Sequence, residues 1–338
     1  MLNIDEAFKK NFPKLAQKFE ENQFAIKEFQ KTAISNVIER DNTLCIMPTG
    51  GGKSLIYWMS GILSGGITIV ISPLISLIDE QSEKIAEQGF EVLTIHGGMD
   101  SAKQAKILTD FANKIINPKF IFVSPEKIAT DGLFEYCIRE RKNEITLLAI
   151  DEVHCVSQWG TSFRPFYKRI PVFLDCLYDD SEDKPKILAL TATLNPKEVV
   201  DICIEFKIDK SNIIRDNLLM RSEISLKVLQ FSNENEKEDK LWDIIKIHKN
   251  EKILIYVYRI GSERGVEKLA DKANEKGYKS VCFHGEMTAK ERKEIIDRYK
   301  NNEISVIFAT NAFGMGIDIP DIRVVIHFMI PESVEQYY

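Results

Sequence analysis

An α/β fold with two tandem, mostly parallel sheets flanked by helices is predicted by three features of this 338-residue sequence. Short runs that are apolar throughout alternate with helical stretches. The runs fall into two series separated by a polar stretch. The first run leads directly into a glycine-rich turn and another helical stretch. Runs without polar alternation suit strands covered on both faces, as in parallel sheets. Helices between them supply the crossovers.

The first series comprises Thr43–Met47, Ile67–Ile71, Val92–Ile95, Phe120–Val123, Leu147–Ile150 and Ile187–Leu190. The second comprises Ser225–Phe231, Ile253–Val257, Ser280–Phe283, Ser305–Ala309 and Val324–Phe328. Leu74–Gln88 and Thr288–Lys300 are expected helices. The polar stretch within Asp209–Glu223 marks the break between the series. Ser232–Lys240 (SNENEKEDK) reads as a loop leading into a helix over Leu241–His248. The expected domains are therefore 25–215 and 220–338. They are preceded by a helical appendage, residues 1–24, in which Phe8, Phe12, Leu15 and Phe19 recur at near-helical spacing and suit packing.

With 44% hydrophobic and 28% charged residues, the composition is that of a soluble globular protein with a real core. No apolar run is long enough to span a membrane. The start, MLNIDEAFKK, lacks the features of a secretory signal. A cytoplasmic protein is the expectation. None of the six cysteines forms a CxxC pair, so no zinc site is expected in this stretch. Cys45, Cys203 and Cys282 lie in apolar runs and are expected to be buried thiols. A net charge of −6 argues mildly against a broad basic face for nucleic acid, while leaving room for local grips on a backbone.

Met47–Ser54 (MPTGGGKS) follows the first run and precedes the helical stretch SLIYWMSGIL. That is the strand–loop–helix context of a phosphate cradle. Thr49, Gly50, Gly51 and Gly52 let backbone N–H groups converge on phosphate oxygens. Lys53 is placed to reach the outer phosphates and Ser54 to ligate Mg²⁺. Asp151 and Glu152 end the run LLAI. Two acids at the carboxyl end of a strand suit metal binding, by Asp151, and activation of a water, by Glu152. An acid pair in that position is, by itself, more often a solvated loop; the cradle upstream is what favours the functional reading.

These motifs, with others in order, make the chain resemble the RecQ-like branch of superfamily 2 DNA helicases from about Ile26 to Tyr338. The others are IKEFQ (Ile26–Gln30), ISPLISLIDEQ (Ile71–Gln81), VSPEKI (Val123–Ile128), DEVHC (Asp151–Cys155), LTATL (Leu190–Leu194) and ATNAFGMGIDIP (Ala309–Pro320). The most discriminating stretch is HCVSQWGTSFRPFY, His154–Tyr167, similar to the aromatic-rich loop of that branch.

The resemblance implies two RecA-like domains, ATP with Mg²⁺ as cofactors, and single-stranded or duplex DNA as partner, with travel in the 3′→5′ direction. It implies that Gln30 reads adenine with help from Lys27, which stands where the family usually has arginine. His154 and Gln158 would couple nucleotide to DNA. Trp159 and Phe163 would stack bases, at ~1–3 kcal/mol each, with Arg164 as a nearby cation. Thr191 and Thr193 would link domain closure to hydrolysis. Thr310 would lie near DNA phosphates, and Gly316 and Asp318 near the nucleotide. Tyr256–Arg259 (YVYR) is a loose version of the family's motif IV. The sequence stops at IPESVEQYY, before the motif that normally carries an arginine finger, and reads as a fragment. The alternative is a non-catalytic DNA-binding or scaffolding subunit with protein partners in a larger assembly.

Overall fold

The computed structural model describes residues 3–39, 41–48, 50–156, 166–179, 183–192, 194–216, 224–314, 317 and 319–331. The chain divides into two compact units, residues 1–221 and 222–338.

The first unit is built on a seven-stranded sheet in the order β3-β4-β2-β5-β6-β1-β7. Its strands are β1 (Thr43–Ile46), β2 (Ile67–Ile71), β3 (Val92–Ile95), β4 (Phe120–Val123), β5 (Ile145–Ile150), β6 (Lys186–Thr191) and β7 (Ile213–Arg215). Every neighbouring pair is parallel. Side chains of a strand alternate between faces, and both faces here are apolar. Leu44 and Ile46 of β1 join one core cluster while Cys45 joins the other. Leu148 and Ile150 of β5 likewise oppose Leu147 and Ala149. This two-sided burial is why the strands read as unbroken apolar runs.

The chain enters through helices α1 (Ile4–Asn11), α2 (Pro13–Glu21) and α3 (Glu28–Glu39); α4 (Lys53–Leu63) follows β1, and α5 (Ile75–Ala86) follows β2. Asn3 caps α1 by accepting from the Glu6 amide at 3.1 Å, and Pro13 opens α2 where no amide proton is needed. Between them Phe12, fully buried, stacks on Trp58 of α4 with centroids 6.1 Å apart and tilts against Phe90 at 5.3 Å. The N-terminal helices thus complete the core on the α4 side of the sheet.

The second unit has a four-stranded parallel sheet, β11-β8-β10-β9, from β8 (Lys252–Tyr256), β9 (Ser280–Phe283), β10 (Val306–Ala309) and β11 (Ile322–His327).

Four local expectations need correction. Ser225–Phe231 forms no strand: it makes no ladder with any described strand, and Leu226, Val228 and Leu229 are 47–85% exposed. Apolar residues with strand propensity do not make a strand unless a neighbouring backbone takes up the amides and carbonyls. A short strand was also missed: β7 lies inside the polar break and pairs Ile213 with Leu44 and Ile214 with Cys45 of β1. Two isoleucines suffice there because the sheet edge supplies the ladder. The expected loop Ser232–Lys240 is largely helical, in the helix Glu234–Ile247. Its polar start is a helix N-terminus: Asn233 accepts from the amides of Asn235 and Glu236, and Glu234 and Glu236 sit at the positive end of the dipole. Of the cysteines, Cys45 is buried as expected, but Cys203 and Cys282 are only half-buried, whereas Cys137 and Cys155 are enclosed.

Phe12→Ala should destabilise the first unit by about 3–5 kcal/mol, read as a lower denaturant midpoint for that unit's unfolding transition.

Candidate nucleotide site

The strand order brings the carboxyl ends of β5, β6 and β1 side by side, in register Ile46↔Thr191 and Ile150↔Ala189. The turn after β1, the acids after β5 and the threonine ending β6 therefore share one rim of the sheet, the rim where parallel α/β sheets bind ligands.

The turn is shaped by glycine. Gly50 and Gly52 have φ of +75° and +89°, the left-handed region that glycine adopts without steric cost. At Gly52 a side chain is also excluded by contact, since a Cβ would stand 2.5 Å from Nε2 of Gln30. Gln30 itself is 4% exposed. Its Nε2 donates to the Gly51 carbonyl at 3.0 Å and the Gly52 carbonyl at 3.4 Å, and its Oε1 accepts from the Lys27 amide at 2.8 Å. The expected adenine reader thus ties the segment before α3 to the turn. The exposed Lys27 side chain lies over Phe29, 5.9 Å from the ring centroid.

Lys53 opens α4 and its ammonium lies between the two acids. It donates to Oε1 of Glu152 in a short ion pair and stands 3.8 Å from Oδ1 of Asp151. All three side chains are less than one-fifth exposed. Burial opposes charge on each, but Lys53 is raised because the two carboxylates outweigh desolvation. Burial pushes Asp151 up to about 6 despite the lysine. Glu152 is held low: desolvation opposes its charge, yet Lys53 and His154 prevail.

The backbone adds its own constraint. Glu152 has φ +50°, uncommon for a residue with a side chain, and its amide donates to Oδ1 of Asp151 at 3.0 Å. The Asp151 carbonyl accepts from the buried Tyr167 hydroxyl at 2.9 Å. His154 Nδ1 lies 3.2 Å from Oε2 of Glu152 and 3.0 Å from Oγ1 of Thr191, which is fully buried. Although burial disfavours the charged ring, hydrogen bonds to Cys155 and Glu152 lift its pKa to about 10. A chain of contacts therefore runs Lys53–Glu152–His154–Thr191.

Ser54, half-buried, follows Lys53 at the start of α4. With Asp151 it offers hard oxygen donors, a set that fits Mg²⁺, which typically takes one or two carboxylates plus phosphate oxygens and waters. In the second unit, Thr310 follows β10; its amide donates to the Phe283 carbonyl at 3.0 Å and its Oγ1 accepts from the Ala312 amide at 3.4 Å. Thr49, Gln158, Trp159, Phe163, Arg164, Thr193, Gly316 and Asp318 lie outside the described residues. Sequence reasoning did not single out the Tyr57 hydroxyl, which donates to Oε1 of Gln81 at 3.1 Å, or the Tyr167 hydroxyl. Tyr57 was detectable in principle, three residues beyond Ser54 and so on the same side of α4.

The family profile described as DEAD/DEAH box helicase matches residues 27–202, and that described as helicase conserved C-terminal domain matches 236–338. The ATP-dependent DNA helicase RecQ of Bacillus subtilis is 34% identical over 91% of this chain and 50% of its own length. The RecQ-like DNA helicase BLM of Xenopus laevis is 36% identical over 97% of this chain and 24% of its own. The chain thus spans half or less of these relatives. Among solved structures, S. cerevisiae Dbp5 bound to RNA and ADP BeF3 superimposes with a TM-score of 0.71 at 18% identity, covering 96% of this chain and 80% of that one. Mycobacterium smegmatis helicase Lhr bound to ssDNA and AMP-PNP gives 0.65 at 20% identity, over 95% and 44%. The fold is that of two tandem RecA-like domains. The chain belongs to the DEAD/DEAH box helicase family, as a RecQ-like superfamily 2 core.

Asp151 carries a penalty at neutral pH, because its folded pKa of about 6 lies above the 3.8 of an ordinary aspartate. The folded state then binds the proton more tightly, so this group lowers stability above pH 6 and the loss is relieved as pH falls towards 4. Asp151→Asn, of the same shape, should therefore stabilise the protein by about 1–3 kcal/mol at pH 7. The gain should fade in acid, as followed by thermal melts at both pH values.

Proposed function

We propose that this chain is the ATP-hydrolysing core of a RecQ-like DNA helicase, coupling hydrolysis to 3′→5′ movement on single-stranded DNA and to duplex unwinding. One observation carries the reading: the Lys53 ammonium seated between Asp151 and Glu152, at the rim where the carboxyl ends of β1 and β5 flank that of β6. The relatives named as ATP-dependent DNA helicases support the substrate and the nucleotide.

In this reading the amides of the glycine turn and the Lys53 ammonium bind the outer phosphates, with Lys53 leaving the acids for phosphate oxygens. Asp151 and Ser54 hold Mg²⁺, which when bound neutralises charge on the phosphates. The carboxylate of Glu152, freed from Lys53, accepts the proton of the attacking water. His154 and Thr191 hold Glu152 in place and carry its state to the end of β6. Gln30, already bound to the turn, exchanges one of those bonds for the adenine edge. The aromatic residues Trp159 and Phe163 and the cation Arg164 contact unstacked bases, on the strength of the sequence.

Phosphate release with and without single-stranded DNA tests this in the full chain. Lys53→Ala should lower the DNA-stimulated rate at least about 100-fold. Tailed duplexes should be opened from a 3′ tail and not from a 5′ tail. A wild-type rate equal to that of Lys53→Ala, with DNA bound regardless of ATP, would overturn the reading in favour of a non-catalytic DNA-binding subunit.

A further inference from the structure

The peptide unit joining Asp151 to Glu152 is held at both ends. Its carbonyl, on Asp151, accepts from the Tyr167 hydroxyl at 2.9 Å. Its amide, on Glu152, donates to Oδ1 of Asp151 at 3.0 Å, and the same Oδ1 stands 3.8 Å from the Lys53 ammonium. The flanking peptides are held as well. The Asp151 amide donates to the Ile71 carbonyl of β2 at 2.9 Å, and the Glu152 carbonyl accepts from the Cys155 amide at 3.0 Å. Between these anchors lies the left-handed φ of +50° at Glu152.

The position of Tyr167 is set by the core. Its side chain is fully buried, in the cluster that also contains Val153, Val156, Ile170 and Phe173. Its own carbonyl accepts from the Ile170 amide at 3.1 Å, at the entrance to the helix Arg169–Leu177. Phenylalanine would fill the same apolar space. A hydroxyl taken out of water is costly without a partner, and the Asp151 carbonyl is one here.

A peptide is planar and turns over only as a unit, which changes ψ of the residue before it and φ of the residue after it together. Turning over the 151–152 peptide would relieve Glu152, because a side chain occupies the left-handed region at a cost. It would also point the Asp151 carbonyl oxygen, in place of the Glu152 amide, at the Asp151 carboxylate. Two groups that only accept would then face each other. The cost of a left-handed residue and the worth of a buried hydrogen bond are of similar size. One bond from Tyr167 is therefore enough to decide which way the plane faces.

We propose that Tyr167 is a positioning residue for hydrolysis: its hydroxyl keeps the N–H of the 151–152 peptide, and not the C=O, turned to the Asp151 carboxylate. The proposal rests on the reading of Asp151 and Glu152 as the acids of a nucleotide-hydrolysing rim. Both acids are then oriented from the core, by a side chain sixteen positions beyond Asp151.

Tyr167→Phe removes the donor and keeps the ring. At saturating ATP, Mg²⁺ and single-stranded DNA, kcat of the full chain should fall about 10- to 100-fold. Affinity for a non-hydrolysable ATP analogue in chelator, followed by fluorescence, should stay within about twofold. Stability supplies a second measure. In an Asp151→Asn background the side-chain amide can donate to a turned-over carbonyl. There, Tyr167→Phe should lower the urea midpoint by less than about half of what it does in the wild type. If the phenylalanine variant lacks a cooperative transition, Tyr167→Met carries the same comparisons. An unchanged kcat in Tyr167→Phe overturns the proposal. An equal midpoint loss in both backgrounds, or a parallel loss of metal-free nucleotide affinity, also overturns it, because each marks a plain packing defect. A wild-type chain that hydrolyses no ATP ends the site reading and the proposal together. Normal wild-type hydrolysis with no effect at Tyr167 removes the proposal alone.

Discussion

The ion pair between Lys53 and Glu152, with Asp151 beside it, is the interaction on which the rest of the first unit's rim depends. Three charges lie in a place less than one-fifth exposed. Any one of them left alone there would be costly, because a buried charge without a partner forfeits its hydration. Together they are tolerable, and they fix the start of α4 against the end of β5. The lysine thus occupies a position between carboxylates that a cation is suited to fill. In the proposed reading, a triphosphate arriving at this rim would offer the lysine a second set of anions in exchange for the first.

Strand order makes that meeting possible. The turn at 47–52 and the acids at 151–152 are about a hundred residues apart, yet β1 and β5 are separated in the sheet only by β6. β6 contributes Thr191, and Thr191 receives His154. Gln30 performs the corresponding task on the other side, holding the turn by the carbonyls of Gly51 and Gly52. The site is therefore supported from two directions, by α3 through Gln30 and by β6 through His154.

Much of this was legible in the chain of residues. The runs around β1 to β6 were readable because both faces of the sheet are covered, and the cradle and acid pair because each combines a motif with a strand in front of it. What was not legible depends on partners distant in sequence. β7 consists of three residues in a polar stretch and exists because β1 offers an edge. Ser225–Phe231 has the residue types of a strand but no described strand pairs with it. The start of the helix Glu234–Ile247 was mistaken for a loop because its charges were read as solvation, when Asn233 and the two glutamates form a capped N-terminus and Glu238 is tied to Arg264 and Lys272. The Tyr57–Gln81 bond joins two helices through side chains that each look like ordinary core.

The left-handed backbone at Glu152 carries one more implication. Glycine would take up φ +50° freely, and a side chain there raises the free energy of the folded chain. Folding alone would thus favour a different residue at 152, just as it would favour an uncharged one at 151. At these two adjoining positions the demands of a durable fold and of the proposed nucleotide rim point in opposite directions, and the residues present are those that a durable fold would not have chosen.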